Sequence, residues 1–277
     1  MADDDELTLQ EAADALGVHY MTAYRRVRLG KLPAHKSGGE WRVRRADLTP
    51  EAPVAPLAGS GDTGRRDYVS DLVRVMVAAD EAAAWTVVQE ALGSGMEPLD
   101  FSLEILAPAL EAVGDGWEAG TITVAEEHQA SAIASRLIGR LGPSLRRRGR
   151  SKGAVVLGAA PDDLHSIPTA LMADALRAHG FEATDLGARV PPSSFATVAA
   201  SADRLVAVGI AVTATDALDG AADTIEALRA AVDVPVVLGG SAIRNEAHAR
   251  ELGADAYGAD AQSGIRIIES LVQTDKD

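Results

Sequence analysis

The sequence predicts a multidomain α and α/β protein: a winged helix-turn-helix, a four-helix bundle, and a doubly wound, parallel-sheet, Rossmann-like domain. Three observations predict it. A basic island occupies the first 48 residues of an otherwise acidic chain. Helical periodicity with short glycine-containing connections fills 67–146. From about residue 153, apolar strand-like runs alternate with helices. Composition agrees. The 277 residues are 47% hydrophobic but only 4% aromatic. Alanine, valine and leucine therefore supply the core, which favours helices and parallel strands over a β-sandwich. The absence of cysteine excludes disulfides, thiolate metal sites and cysteine catalysis. Met1 is followed by Asp3, Asp4, Asp5 and Glu6, unlike a signal peptide, and no apolar run reaches the roughly 20 residues of a membrane span. A cytoplasmic protein that does not enter a membrane is expected.

Residues 1–48 form the first unit. Leu9, Ala12, Ala13 and Leu16 have helical spacing that Gly17 stops, and a second helix is expected over 20–29, with Gly30 past its end. Two short helices about a glycine turn are the helix-turn-helix signature. Ala34-His35-Lys36, a Gly38-Gly39 turn and Glu40-Trp41-Arg42-Val43 then read as a hairpin, or wing. Residues 49–66, punctuated by Pro50, Pro53, Pro56, Gly59, Gly61 and Gly64, are a linker. Helices are expected at Tyr68–Leu72–Val75–Met76 and over 80–92, 99–117 and 124–141, the last ended by Gly142-Pro143. In 152–277, strands are expected at 154–157, 181–186, 205–212, 234–238 and 256–257. Helices are expected at 169–179, 194–202, 217–231 and 242–252, and from Ser263, whose hydroxyl would cap the last one. Ligands bind such sheets beyond the carboxyl ends of the strands, here 158–168, 187–193, 211–216 and 239–241.

The net charge of -15 argues against nucleic-acid binding by the whole surface, but its distribution is uneven. Between Arg25 and Arg45 lie eight Lys/Arg against Glu40 alone, a pattern that suits a phosphate-binding face on one small module. His19, Tyr20, Thr22 and Arg25, at the start of the second helix, are candidates for base edges in the major groove of double-stranded DNA. Arg26, Arg28 and Lys31 are candidates for phosphates, and Arg42 and Arg44 for the wing. Tyr24, Val27 and Trp41 read as the module's own core. One such module binds DNA weakly, so useful affinity calls for a homo-oligomer, a dimer or tetramer.

Two constellations carry the remaining chemistry. Trp117, nine intervening residues and then Glu127-His128 place an aromatic and an acid–imidazole pair about a helix start. Asp163-Leu164-His165 follows the first strand of the α/β domain. A neutral imidazole is a good transition-metal ligand, and a carboxylate on its other nitrogen fixes the tautomer. Together they suggest a flat, metal-centred ligand between a helical cap and a histidine.

These residues carry a resemblance. Asp163-Leu164-His165-Ser166-Ile167-Pro168 resembles the Asp-x-His-x-x-Gly signature of cobalamin-binding α/β domains. Leu186-Gly187-Ala188-Arg189-Val190-Pro191 and Gly239-Gly240 resemble that family's stretches after the second and fourth strands. Trp117-x9-Glu127-His128 is similar to the cap motif of CarH-type photoreceptors, and the first 48 residues resemble the winged module of the excisionase and MerR-like group. The resemblance implies cobalamin, in its adenosyl form, with His165 as the cobalt ligand and Asp163 orienting it. Trp117, Glu127 and His128 would face the upper ligand. Ser166, lying within the signature, Thr213, and Gly239 with Gly240 would serve the lower side and nucleotide tail. In that family light breaks the cobalt–carbon bond, the tetramer dissociates and DNA is released. The result is a regulator rather than an enzyme.

Departures from the pattern are specific. Pro168 replaces the signature glycine. The Ser-x-Leu after the third strand reads Ala211-Val212-Thr213, with Thr213 or Thr215 the available substitutes for the missing serine. Glu118 follows the cap tryptophan, where a histidine can capture cobalt after photolysis. Two other functions compete: a regulator of the same fold that senses another tetrapyrrole or no cofactor, and a corrinoid methyl-carrier protein.

Overall fold

The computed structural model describes residues 6–16, 23, 27, 32–37, 40–48, 66–145, 147 and 149–274. They fall into two compact units, one ending at Leu137 and one beginning at Ile138.

In the N-terminal segment, β1 (Glu6–Thr8), α1 (Leu9–Leu16), β2 (His35–Ser37), β3 (Glu40–Arg44) and a 3-10 turn (Arg45–Asp47) follow in order. The sheet is antiparallel with order β1-β3-β2. The hairpin and first helix stand where periodicity predicted them. The strand β1 was not predicted, because three residues are too few to display alternation. Thr8 caps α1: its hydroxyl accepts from the Glu11 N–H at 3.2 Å, and the Glu11 carboxylate accepts from the Thr8 N–H at 2.8 Å. Leu7, Leu9, Ala12, Ala13, Ala23, Val27, Leu32 and Val43 form the core, with Trp41 packed against it. Of the predicted second helix, Ala23 and Val27 are described, and both are helical. His19, Tyr20, Thr22, Arg25, Arg26 and Lys31 lie outside the described residues, as does almost all of the predicted linker.

The helical segment runs through α2 (Tyr68–Val77), α3 (Glu81–Gly93), α4 (Ala107–Glu118) and α5 (Val124–Leu145). Asp67 and Asp80 cap α2 and α3 by accepting from Ser70 N–H and Ala83 N–H. The helix predicted over 99–117 begins with a turn at Pro98–Asp100 and then widens into a π-helical stretch at Phe101–Leu106 before α4. Pro108 accounts for the widening. It has no N–H, and its ring would strike the carbonyl four residues back in a regular helix. The Ala107 N–H reaches instead to the Ser102 carbonyl, five residues back. Helix α5 continues through Gly142-Pro143, which was predicted to end it. Glycine before proline removes the Cβ that would oppose an α conformation there. Proline in the last turn sacrifices only one hydrogen bond.

The second unit holds a five-stranded parallel sheet of β4 (Ala154–Ala159), β5 (Glu182–Asp185), β6 (Leu205–Ala211), β7 (Val236–Gly239) and β8 (Ala256–Gly258). Its order is β5-β4-β6-β7-β8. The helices are α6 (Ile167–Ala178), α7 (Pro192–Ser201), α8 (Leu218–Ala231), α9 (Glu246–Glu251) and α10 (Ala261–Thr274). Every residue of β4 is buried, as expected for a central parallel strand covered on both faces. The first strand pairs with β5 on one side and β6 on the other, so the strand order reverses between β4 and β6, and this is where doubly wound sheets bind ligands. Two predicted helix starts shift. Asn245, not residue 242, caps α9, accepting from the His248 N–H at 2.9 Å. Asp260, not Ser263, caps α10: it accepts from the Ser263 N–H at 2.6 Å, and the Ser263 hydroxyl oxygen accepts in turn from the Asp260 N–H at 2.9 Å. An aspartate three residues upstream of a serine is as good a cap, and the pair closes reciprocally.

Candidate functional site

Asp163 lies in the loop after β4 and its side chain has no solvent exposure. The loop turns back through Asp163 N–H to the Ala160 carbonyl (2.9 Å), and the Arg189 N–H binds the Asp163 carbonyl (2.9 Å). Because β4 and β6 are neighbours ending at the paired residues Ala159 and Ala211, their loops leave the sheet at one edge. Thr213 therefore meets Asp163 across fifty residues of sequence. The Asp163 carboxylate accepts from the His165 N–H (3.0 Å), the His165 Nδ1 (2.8 Å) and the Thr213 hydroxyl (2.8 and 2.9 Å to its two oxygens). It also accepts a short bond from the Thr213 N–H. Four donors fill the roughly four acceptor positions of a carboxylate. Burial pushes the Asp163 carboxyl upward, but the bonds from His165 and Thr213 outweigh it and hold the group below its ordinary value.

This geometry fixes the imidazole. The Thr213 Oγ1 lies 2.7 Å from His165 Nδ1, and with the hydroxyl proton given to Asp163 that oxygen can only accept. Nδ1 therefore carries a proton, so in the neutral ring Nε2 carries the lone pair. The His165 side chain is 52% exposed, so the ring is pinned at one nitrogen and open at the other. Beside it, Leu164 is 63% exposed, the large hydrophobic side chain most open to solvent among the described residues. Ser166 is exposed, and its carbonyl accepts from the Thr169 hydroxyl (2.9 Å) at the start of α6. Pro168 sits in the first turn of α6, where its missing N–H costs nothing.

Gly239 and Gly240 end β7 at the same edge. A Cβ on Gly240 would stand 2.3 Å from the Val212 carbonyl oxygen, and its φ is +106°, so only glycine fits. A Cβ on Gly239 would stand 3.1 Å from the Gly258 carbonyl oxygen. The close approach these glycines permit in this structure is backbone on backbone.

In the other unit, Trp117 is half-buried near the end of α4 and Glu118 is buried. The chain turns back over Gly116: its carbonyl accepts from the Thr121 and Ile122 N–H groups at 2.8 and 3.0 Å. A Cβ there would collide with Ile122 at 2.6 Å. Thr123 and Glu126 then form a capping box for α5, Thr123 N–H to Glu126 Oε2 at 2.7 Å. Glu126 thus serves the helix and leaves Glu127 for other work. The Glu127 carboxylate is held on one side by the Ser131 hydroxyl (2.9 Å) and on the other by His128 Nδ1 (2.6 Å); the His128 side chain is 75% exposed. Ser131 was not among the expected site residues, although four residues after Glu127 on a helix is the spacing at which side chains meet.

In the winged segment, Arg42 and Arg44 lie on β3. The Arg44 Nε is 3.0 Å from Asp47 Oδ2.

Residues 153–266 and, separately, 68–141 match family models described as B12 binding domain, and residues 6–49 match a helix-turn-helix domain. The chain is 34% identical over 201 residues to the HTH-type transcriptional repressor CarH of Myxococcus xanthus, covering 70% of this chain and 65% of that protein. It is 27% identical over 210 residues to monomethylamine corrinoid protein 2 of Methanosarcina acetivorans, covering 73% of this chain and 96% of that one. The structure of the Methanosarcina barkeri monomethylamine corrinoid protein superposes with a TM-score of 0.64 at 24% identity, over 74% of this chain and 98% of that chain, and so shares the fold. The chain thus carries matches to a helix-turn-helix domain ahead of two B12 binding domains, and it is similar to CarH over about two thirds of that protein's length.

Proposed function

We propose that this chain is a cytoplasmic, cobalamin-dependent transcriptional repressor, not an enzyme, in which light acting on bound adenosylcobalamin sets the oligomeric state and so the avidity for DNA. The observation that carries it is the pinned imidazole. At the ligand edge of a parallel sheet, a buried carboxylate and Thr213 hold the Nδ1 proton of His165 and leave Nε2 as a neutral nitrogen donor. That donor would suit the cobalt of a corrinoid. Adenosylcobalamin supplies a light-labile bond to its upper ligand. The residues of this chain do the rest. His165 would hold the metal, and Asp163 and Thr213 hold His165. Trp117, Glu127 and His128 would contact the cofactor's adenosyl group, and Ser131 fixes the Glu127 carboxylate. Ser166, Gly239 and Gly240 would serve the nucleotide tail. His19, Tyr20, Thr22 and Arg25 read bases, and Arg26 and Lys31 are candidate phosphate contacts. Glu118 offers no second imidazole after Trp117, so the light response must end without one at that position.

The test is to mix the protein with adenosylcobalamin in the dark, then record its absorbance, elution volume and retardation of a promoter fragment before and after green light. The expected result is co-eluting corrinoid absorbance, a larger species that light dissociates, and DNA binding that light weakens. No co-eluting corrinoid would reject the cofactor. An unchanged elution volume on illumination would reject the light-controlled assembly. A second reading, a corrinoid methyl carrier, draws on the match over 96% of a corrinoid protein's length. Tight, salt-sensitive DNA binding would discriminate against it.

A further inference from the structure

We propose that the winged sheet meets DNA with its helix-side face, and that Lys36, stacked on Trp41, is the wing's phosphate contact in place of Arg42 and Arg44. The proposal rests on the DNA-binding reading above. It follows from strand register. In an antiparallel sheet, directly paired residues project to the same face and successive residues to opposite faces. Leu7 pairs with Val43, and both are buried with Ala23 and Val27. Lys36 pairs with Trp41, which lies two residues before Val43 and packs on the same core. Lys36 and Trp41 therefore belong to the face against which Ala23 and Val27, in the segment predicted to read bases, are buried.

The other face carries the pairs Glu6 with Arg44, Thr8 with Arg42 and His35 with Arg42. A carboxylate already sits beside Arg44 there, and another beside His35. Arg44 is bound to Asp47 at 3.0 Å, and Glu6 Oε1 is 3.6 Å from His35 Nε2. Lys36 differs in kind. Its ammonium rests 5.2 Å from the centroid of the Trp41 ring, and the residue is exposed. An aromatic face steadies a cation without cancelling its charge, which leaves that charge for a phosphate. In a chain of net charge -15, a cation set against an aromatic ring is worth more to a polyanion than one beside a carboxylate.

The experiment uses the full chain loaded with adenosylcobalamin in the dark and a fluorescein-labelled, mixed-sequence duplex. Anisotropy titrations across a series of KCl concentrations compare wild type with Lys36→Ala, Lys36→Arg and Arg44→Ala. Each phosphate contact contributes about 0.9 to the slope of log K against log salt, so Lys36→Ala is expected to lower that slope by about that amount per bound module and weaken binding several-fold. Lys36→Arg is expected to keep the slope, and Arg44→Ala to stay within about twofold of wild type. If wild type binds and Lys36→Ala matches it, or if Arg44→Ala loses the slope instead, the wing assignment is overturned and the DNA-binding reading stands. If wild type binds no duplex under any salt condition, both fall.

Discussion

Replacing Asp163 with asparagine preserves volume and exchanges one acceptor for a donor, and the structure sets the size of the effect. The carboxylate faces four donors, the N–H and Nδ1–H of His165 and the N–H and hydroxyl of Thr213. An amide offers one oxygen and an NH2 that only donates. With the oxygen toward His165, the NH2 confronts the Thr213 N–H; flipped, it confronts both His165 donors. Either way two donors oppose each other at a fully buried position, and each buried unsatisfied group costs about 1–3 kcal/mol. The loop is open on the His165 side, so the lower part of the combined range applies, about 2–3 kcal/mol. That is a large share of the roughly 5–15 kcal/mol that holds a domain together. Urea unfolding of the full chain by circular dichroism should show an earlier midpoint for the transition of the C-terminal unit. Corrinoid affinity, by spectrophotometric titration, should fall about 10–100-fold, because the tautomer of His165 is no longer fixed. Thr213→Val keeps the main-chain donor and loses only the hydroxyl, so it should cost about 1 kcal/mol. Wild-type midpoint and wild-type corrinoid affinity in Asp163→Asn would refute the reasoning, since the carboxylate would then not be what holds the ring.

Further outcomes follow from single positions. His165→Ala removes a half-exposed ring but also one of the four donors to the buried Asp163 carboxylate, so it should cost about 1 kcal/mol by the same urea midpoints while abolishing the absorbance signature of a corrinoid ligated by imidazole. Gly240→Ala should destabilise the C-terminal unit by about 3–5 kcal/mol, since its Cβ collides with the Val212 main chain at positive φ. Gly239→Ala, tight against one carbonyl only, should cost about 1–2 kcal/mol by the same urea midpoints. Asp260→Ala should cost about 1 kcal/mol through loss of the α10 cap. Main-chain and hydroxyl bonds from Ser263 hold the Asp260 carboxyl below its ordinary value. Its stabilisation is therefore present above the unfolded carboxylate pKa of about 3.9 and lost as pH falls through the lower folded value. A melt series from neutral to strongly acidic pH should show the variant and wild type converging at the acid end.

Most of the architecture was legible because its causes are local. Leu9, Ala12, Ala13 and Leu16 repeat at helical spacing whatever surrounds them. The strand–helix alternation after residue 153 allows few folds other than a parallel sheet with crossovers. The errors came where two local rules competed. Gly142-Pro143 looks like a stop, yet in the last turn of α5 proline forfeits one bond only. Ser263 looks like a cap, yet Asp260 three residues earlier caps better with Ser263 as its partner.

The sequence by itself determined that Asp163 and His165 stand on one loop at the ligand edge of the sheet, and that Glu127 and His128 stand together at a helix start. Tertiary structure decided everything that depends on strand pairing. Thr213 joins Asp163 only because β4 and β6 lie side by side and end together. That neighbour converts a nearby carboxylate into a fully occupied one and so selects the nitrogen of His165 that stays open. Pairing of β1 with β3 likewise puts Arg42 and Arg44 on one face and Trp41 with Lys36 on the other. No count of basic residues contains that division, because a side chain's face is set by its partner strand and the core it must cover.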